Sequence, residues 1–485
     1  MKCLPAAKLP QAQGQVLHDW HAEVLAIRAF NRFVLEECRL LGLDAGAESR
    51  FLRRRAPGQL LRGAGQDDDG NDSGSNTEGG QSSSRYWASQ PFAWRDDVLL
   101  HMYCSEAPCG DASMELTMAA QEDAAPWEIP SPSTSAAVPP SSHPGGPHTS
   151  APAPAPDLPG RAYFSLLGAV RRKPSRADAP ATRSKSCSDK LALRQCTSLL
   201  SSPAALLVNP GSGSGPGVYI HRLILPASRY SAGGCRRAFG GGGSGREGDR
   251  EEEEQEDGDD GNGNGKERNS SEAEARMAPL AGRVWAGGYA FRPFAVQTTG
   301  HEFVFSRREV AQRATAAAPS NTNTNKQRNE NQNQNDNART AASNLAVAWT
   351  AGPSVVTATA TGSEIGPGLE ESTLGGLVRG RRQVDARGRG ASQLCRRRIW
   401  GLAAEVAGLL SQSHANEDGD ASAREIRRAL VGTEQEGTKT GTQTHTYAAV
   451  KGSALLAARR RVKEDVRAGA LRGWVCNEGD DGFVL

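Results

Sequence analysis

Two short segments far apart in the chain carry residue types that together could activate water. His21-Ala22-Glu23 offers an imidazole and, two residues on, a carboxylate, while Pro108-Cys109 offers a thiol. A zinc ion held by three protein donors keeps a fourth position open and makes a water nucleophilic at neutral pH. His-x-Glu followed by Pro-Cys is the sequence form of such a site where an amino group is removed hydrolytically from a nucleobase. On this reading His21 and Cys109 are ligands. Glu23 is not a ligand but carries the proton from water to the ring nitrogen and the leaving ammonia. No cysteine follows Cys109 three residues on, so the third ligand has to come from elsewhere. Cys187, in Ser186-Cys187-Ser188-Asp189-Lys190, is the candidate, because a helix start like that expected after Cys109 favours a thiolate. Each piece alone says little: His-x-Glu is usually a surface or capping pair, and Pro-Cys or Ser-Cys usually a buried small side chain. The ordered set carries the information. Cys3, Cys38, Cys104, Cys196, Cys235, Cys395 and Cys476 read as ordinary thiols, with Cys104 the nearest competitor for a ligand role.

These residues need elements to position them. Val24, Ile27, Phe30 and Val34 recur at helical spacing and predict an amphipathic helix over Trp20 to Leu40, with His21 and Glu23 in its first turn. Val98 to Tyr103 is strand-like and leads through Ser105-Glu106-Ala107-Pro108-Cys109 into a helix over Ala112 to Ala120, which sets Cys109 at a strand-to-helix turn. Cys187 opens a helical stretch through Leu200, Val218 to Leu225 reads as a strand, and Ala391 to Leu485 is mostly helical, including Ala454 to Val466. Alternating strands and helices imply a layered α/β fold.

Bulk composition narrows the organisation. Of 485 residues 37% are hydrophobic and 5% aromatic, 55 are glycine, and the mean hydropathy is −0.55. Four tracts, about 63–84, 121–157, 240–275 and 315–342, are too polar or low in complexity to offset the entropy of ordering them and read as disordered insertions. Their compositions differ, and no solenoid repeat is present, so the chain reads as one domain over 1–485 with independent loop expansions. The net charge of +2 hides a basic remainder. Arg246 to Asp260 holds ten acids and two arginines, and without it the chain carries +10. Arginine clusters at Arg53–Arg55, Arg171–Lys173, Arg379–Arg382, Arg396–Arg398 and Arg459–Arg461 suit a polyanionic partner, although scattered solvated arginines would look the same by charge alone. No run of eighteen apolar residues and no apolar leader segment occurs, and nine cysteines in such a chain suggest thiols or metal ligands, so an intracellular location in cytoplasm or nucleus is expected.

Lys2-Cys3-Leu4-Pro5, Leu17-His18-Asp19-Trp20-His21-Ala22-Glu23-Val24, Ser105-Glu106-Ala107-Pro108-Cys109-Gly110-Asp111-Ala112-Ser113, Lys173-Pro174 and Ser186-Cys187-Ser188-Asp189-Lys190 together resemble the RNA adenosine deaminases. That family comprises tRNA-specific enzymes and editors of double-stranded RNA. The Ser105–Ser113 form and the stretch Leu191 to Leu207 look more like the tRNA branch, particularly its fungal members. The resemblance implies a cytidine-deaminase-like three-layer α/β fold, with a central mixed sheet flanked by helices and a helical C-terminal part. It implies zinc on His21, Cys109 and Cys187, Glu23 as the catalytic carboxylate, and conversion of adenosine to inosine in tRNA, at the adenosine 3′ of the anticodon of alanine tRNA. A base in such a single-stranded loop is splayed into a pocket at modest cost, and basic clusters would make the affinity salt-sensitive. It also implies a buried inositol hexakisphosphate, with Asp19, Arg28, Lys190, Arg396, Lys451 and Trp474 at matching positions, and Asp19 and Lys190 in a relay towards the phosphate. A buried cation cluster needs such a polyanion. Departures are Leu193 and Arg194, where the editors carry an Arg-Trp pair, and Ile27 in place of one of two adjacent arginines. Family members carry a helix and strand upstream of the Lys2-Cys3 segment. The expectation is therefore a chain lacking its first helix and strand, unstable or inactive as written.

Three readings compete. The first is an active tRNA adenosine deaminase, with a double-stranded RNA editor as a weaker variant. The second is a tRNA-binding pseudoenzyme with a structural zinc site. The third is a scaffold acting through its low-complexity tracts. Glu23 discriminates between the first two, since a structural zinc needs no proton carrier.

Overall fold

The structure, a computed structural model, describes residues 2–55, 90–120, 158–159, 166–173, 179–211, 215–241, 275–316, 343–354, 368–382, 388–413, 417–432 and 445–485. The four tracts read as disordered insertions fall almost wholly outside these residues.

The fold is mixed α/β, with sheets flanked by helices. Two chain stretches lie side by side in parallel twice over. Phe92–Trp94 pairs with Val208–Asn209, and further along Leu100–Tyr103 pairs with Ile220–Pro226. The turn at 95–97 interrupts the first stretch, and the second breaks between Asn209 and Ile220, so the expected mixed sheet is split into two ladders. In the first ladder Leu52–Arg54 adds an antiparallel strand on Phe92–Trp94; in the second, Ala295–Thr299 adds a parallel one on Ile220–Pro226. Leu223 and Leu225 are fully buried, whereas His101, Tyr103 and Arg222 are exposed. A third sheet, antiparallel throughout, joins Leu345–Trp349, Glu370–Leu374 and Leu377–Val378.

The first helix runs Ala22–Leu43, starting two residues later than its periodicity predicts and ending three later. The late start has a local cause: the Trp20 N–H donates to Lys2 O, and His21 is extended (φ −61°, ψ 147°), serving as the cap. Val34, Leu35, Cys38 and Leu41 of this helix enter the main core, and the helix packs along Arg396–Ser413. The second cysteine helix spans Cys187–Thr197, three residues shorter than expected, because Ser198 turns into the left-handed region at φ 57°. Ser186 caps its start by accepting the Asp189 N–H. After Cys109 a 3-10 turn over Asp111–Ser113 leads into Met114–Ala119. The C-terminal part is helical, as expected, in Arg396–Ser413, Glu417–Val431, Tyr447–Gly452 and Ala457–Ala468. None of the described helices is long and apolar enough to cross a membrane.

Candidate metal centre and the cationic cavity behind it

The long helix presents His21 at its cap and Glu23 in its first turn, and two loops bring Cys109 and Cys187 against them. The donor atoms of His21, Cys109 and Cys187 all lie within 4.8 Å of one another, with Cys109 Sγ 3.9 Å from His21 Nδ1. Donors at about 2.0–2.3 Å from one zinc ion fall within that span, and a His/Cys/Cys set is a zinc set. A second group, Cys3, Asp19 and His21, is equally close. Its carboxylate is already committed: Asp19 Oδ2 accepts from Lys173 Nζ at 2.9 Å, from Ser184 Oγ at 2.7 Å and from Lys190 Nζ, while Oδ1 takes the His21 N–H at 3.0 Å. The cysteine pair is therefore the set left to hold a metal.

Electrostatics in this pocket follow from the packing. A hydrogen bond from Cys187 outweighs burial and, with Lys173 and His21, holds the Cys109 thiol well below its ordinary range, while burial and the Cys109 charge push Cys187 up. Burial opposes charge on His21, but hydrogen bonds with Cys109 and Cys3 raise it to about 10. A metal binding here releases protons, because its ligands bind it deprotonated. The Glu23 carboxyl is raised by burial and by the neighbouring Cys109 charge, so it holds a proton more readily than a solvated glutamate.

Both cysteine loops rest on the same kind of support. Two residues after each ligand stands a buried aspartate, and each aspartate meets a buried arginine. Arg237 Nε reaches both oxygens of Asp111 (3.1 and 3.2 Å), and Arg276 Nη1 meets Asp189 Oδ1 at 2.6 Å. The two arginines are themselves joined, Arg276 N to Arg237 O at 3.2 Å. Ser188 Oγ lies 3.0 Å from Pro108 O and 3.1 Å from Cys109 O, and Ser188 N donates to Cys109 O at 3.0 Å. Gly110 has φ 107°, and a Cβ there would lie 2.3 Å from Ser186 Oγ, so the close approach of the loops requires glycine.

Behind the metal donors lies a cavity of about 310 Å³ lined by Arg28, Lys190, Arg194, Arg396, Arg459, Lys463 and Arg467, with Trp474 beside them. Its one carboxylate is Asp19. Burial and the neighbouring Arg459 charge bring Arg194 down to about 9, and burial with Arg459, Arg194 and Arg467 pulls Lys463 well below the lysine range. The buried His18 Nδ1, Arg459 Nε and Arg467 Nε have no hydrogen-bond partner. Such crowding of cations is costly without an anion among them.

Of the residues named from sequence, His21, Glu23, Cys109 and Cys187 come together, and Asp19, Arg28, Lys190, Arg396 and Trp474 line the cavity. Lys451 does not line it; its ammonium pairs with Asp481 at 2.9 Å and stands over the Tyr447 ring. Arg194, Arg459, Lys463 and Arg467 were not among the named site residues, nor was Lys173. The last links the two regions: Lys173 Nζ reaches Cys187 Sγ at 3.2 Å as well as Asp19, whose other cation is Lys190. Its signals in the sequence are the Lys173-Pro174 pair and the basic cluster Arg171–Lys173.

The adenosine-deaminase (editase) domain model matches residues 75–240, a span that holds both cysteine loops, with His21 and Glu23 before it. The chain is 33% identical over 241 residues to tRNA-specific adenosine deaminase 1 of Schizosaccharomyces pombe, covering 50% of this chain and 46% of that protein. Residues 75–240 are thus similar to an adenosine-deaminase (editase) domain. The chain is also 27% identical over 208 residues to tRNA-specific adenosine deaminase 1 of Saccharomyces cerevisiae, covering 41% and 39%. The chain thus aligns with less than half the length of either relative.

Proposed function

We propose that this chain catalyses zinc-dependent hydrolytic deamination of adenosine to inosine in tRNA, at the adenosine 3′ of the anticodon of alanine tRNA. One observation carries the reading: a half-buried glutamate with a raised pKa stands in the first helical turn beside a His/Cys/Cys donor set. His21, Cys109 and Cys187 would hold a zinc ion, which would supply the Lewis acidity that makes a water nucleophilic at neutral pH. Glu23 takes a proton from the attacking water, holds it because its carboxyl is raised, and delivers it to the adenine ring nitrogen; a second proton, from the hydroxyl left on the attacked carbon, then passes through the same carboxyl to the departing amine. Lys173 donates to Cys187 Sγ and fixes Asp19, which holds the backbone of His21, so the donor geometry is set before substrate arrives. The names of the two yeast relatives favour tRNA as the substrate.

The cavity cations suit inositol hexakisphosphate. Arg28, Lys190, Arg194, Arg396, Arg459, Lys463 and Arg467 would hold its phosphates, neutralising their mutual repulsion and securing the floor beneath Asp19. The test is incubation of the zinc-loaded chain with an alanine tRNA anticodon stem-loop and, separately, a perfect RNA duplex, followed by mass analysis for inosine. Inosine in the stem-loop alone is expected. A preference for the duplex would make the chain a double-stranded RNA editor, and no inosine from either would leave a tRNA-binding protein without activity.

A further inference from the structure

The third sheet carries a surface that neither the metal centre nor the cavity uses. Its inner face, with Ala348, Glu371 and Thr373, is buried against the first helix and the cluster around Leu17 and Trp20. On its outer face Val347 is 63% and Trp349 67% exposed. Val347 lies opposite Ser372, whose carbonyl accepts the Arg379 N–H at 2.9 Å, so Arg379 extends the same cross-strand row. Arg379, Arg381 and Arg382 are all exposed, and among the described residues none has an acidic partner. One acid, Glu370, stands opposite Trp349.

This sheet is clamped to the metal loop. Gly376 O accepts the Leu17 N–H at 2.9 Å, and a Cβ on Gly376, at φ 86°, would lie 2.7 Å from Leu17 O and 3.1 Å from the Trp20 ring. The turn therefore sits directly on the segment that continues into Asp19 and His21. An exposed indole on the same sheet as exposed guanidinium groups that have no acidic partner among the described residues, clamped to the segment that leads into the metal donors, has the chemistry of a single-stranded RNA contact: the ring stacks any base, and the arginines meet phosphates.

We propose that this outer face is a second contact surface for the substrate RNA, with an unpaired base stacked on Trp349 and phosphates held by Arg379, Arg381 and Arg382. It takes nucleotides away from the target adenosine, and it rests on the RNA reading above. The test uses the full zinc-loaded chain carrying Glu23→Ala, which holds substrate without turnover, and an unmodified alanine tRNA transcript as probe. Affinity is measured across a salt series. Trp349→Ala is expected to weaken binding roughly tenfold. Replacing the three arginines by alanine is expected to lower the salt slope by about 2 as well as the affinity. Glu370→Gln is expected to tighten binding, the opposite sign. Zinc content, unchanged in each variant, guards against misfolding. If the parent protein does not bind the transcript, the RNA reading itself falls. If it binds and the variants bind equally with the same slope, this surface alone is refuted. It is refuted equally if Trp349→Ala instead dissociates an oligomer, which would make the face an interface between copies.

Discussion

The metal centre and the cavity behind it both bury charge, but they compensate it differently. Around the cysteines every buried aspartate has its cation: Asp111 with Arg237, Asp189 with Arg276, Asp19 with Lys173 and Lys190. In the cavity seven cations face one lining carboxylate, Asp19, which is already committed, and Arg396 alone of them also pairs with Asp480, at 3.6 Å, among the described residues. The first region is complete in charge apart from the metal its donors suit. The second crowds cations that the proposed polyanion would relieve. On that proposal one region fixes geometry through the chain's own residues, and the other would make the fold conditional on a ligand.

The largest effect expected from breaking this contrast is on the self-compensated side. Arg237→Met strands the carboxylate of Asp111, and a loss of about 3–5 kcal/mol in chemical denaturation is expected, with or without added polyanion. A loss below about 1 kcal/mol, the range of a solvent-exposed pair, would mean that the pair does not brace the Cys109 loop.

The cavity is expected to respond conditionally. Saturating inositol hexakisphosphate, at roughly a thousandfold over its dissociation constant, should add about 4 kcal/mol and raise the melting temperature. Lys463 has a depressed pKa, so its charge opposes folding at neutral pH. Lys463→Met should stabilise the polyanion-free protein by on the order of 1 kcal/mol and lower the gain from the polyanion. Equal effects of the substitution with and without polyanion would contradict the conditional role of the cavity.

A smaller effect, about 3 kcal/mol at most, comes from the residue between the two regions. His18 is buried, its Nε2 donates to Asp480 Oδ2 at 2.6 Å, and burial with the Arg396 charge lowers its pKa to about 4. Between pH 6.5 and 4 the unfolded chain therefore binds a proton that the folded chain refuses. Stability contributed by this group is complete above 6.5 and lost as pH falls towards 4. His18→Asn keeps a donor towards Asp480 without titrating and should flatten that part of the stability profile in urea melts. An unchanged slope would remove His18 as its source.

How much of this was legible in the sequence follows from how local each feature is. His21, Glu23, Cys109 and Cys187 are each marked by neighbours in the chain, and Ser186 both caps the helix and announces it. Lys173 reaches the site from a separate segment, and around it stand only two arginines and a following proline, which point to no metal ligand. Arg194, Arg459, Lys463 and Arg467 look like the polar face of amphipathic helices, and only tertiary packing turns that face towards a cavity. The strands 52–54 and 92–94 are too short to alternate, and Glu370–Leu374 is mostly polar, so its ladder with Leu345–Trp349 comes from pairing and not from period. Lys451 was placed by likeness of position, and Asp481 offered it a nearer partner.

The central claim is that His21, Cys109 and Cys187 hold one zinc while Glu23 moves the proton. The most direct measurement pairs zinc content with inosine formation in the parent chain and in Glu23→Gln. One zinc per chain is expected in both, and inosine only from the parent. Inosine formed at a comparable rate by Glu23→Gln, with zinc retained, would contradict the claim.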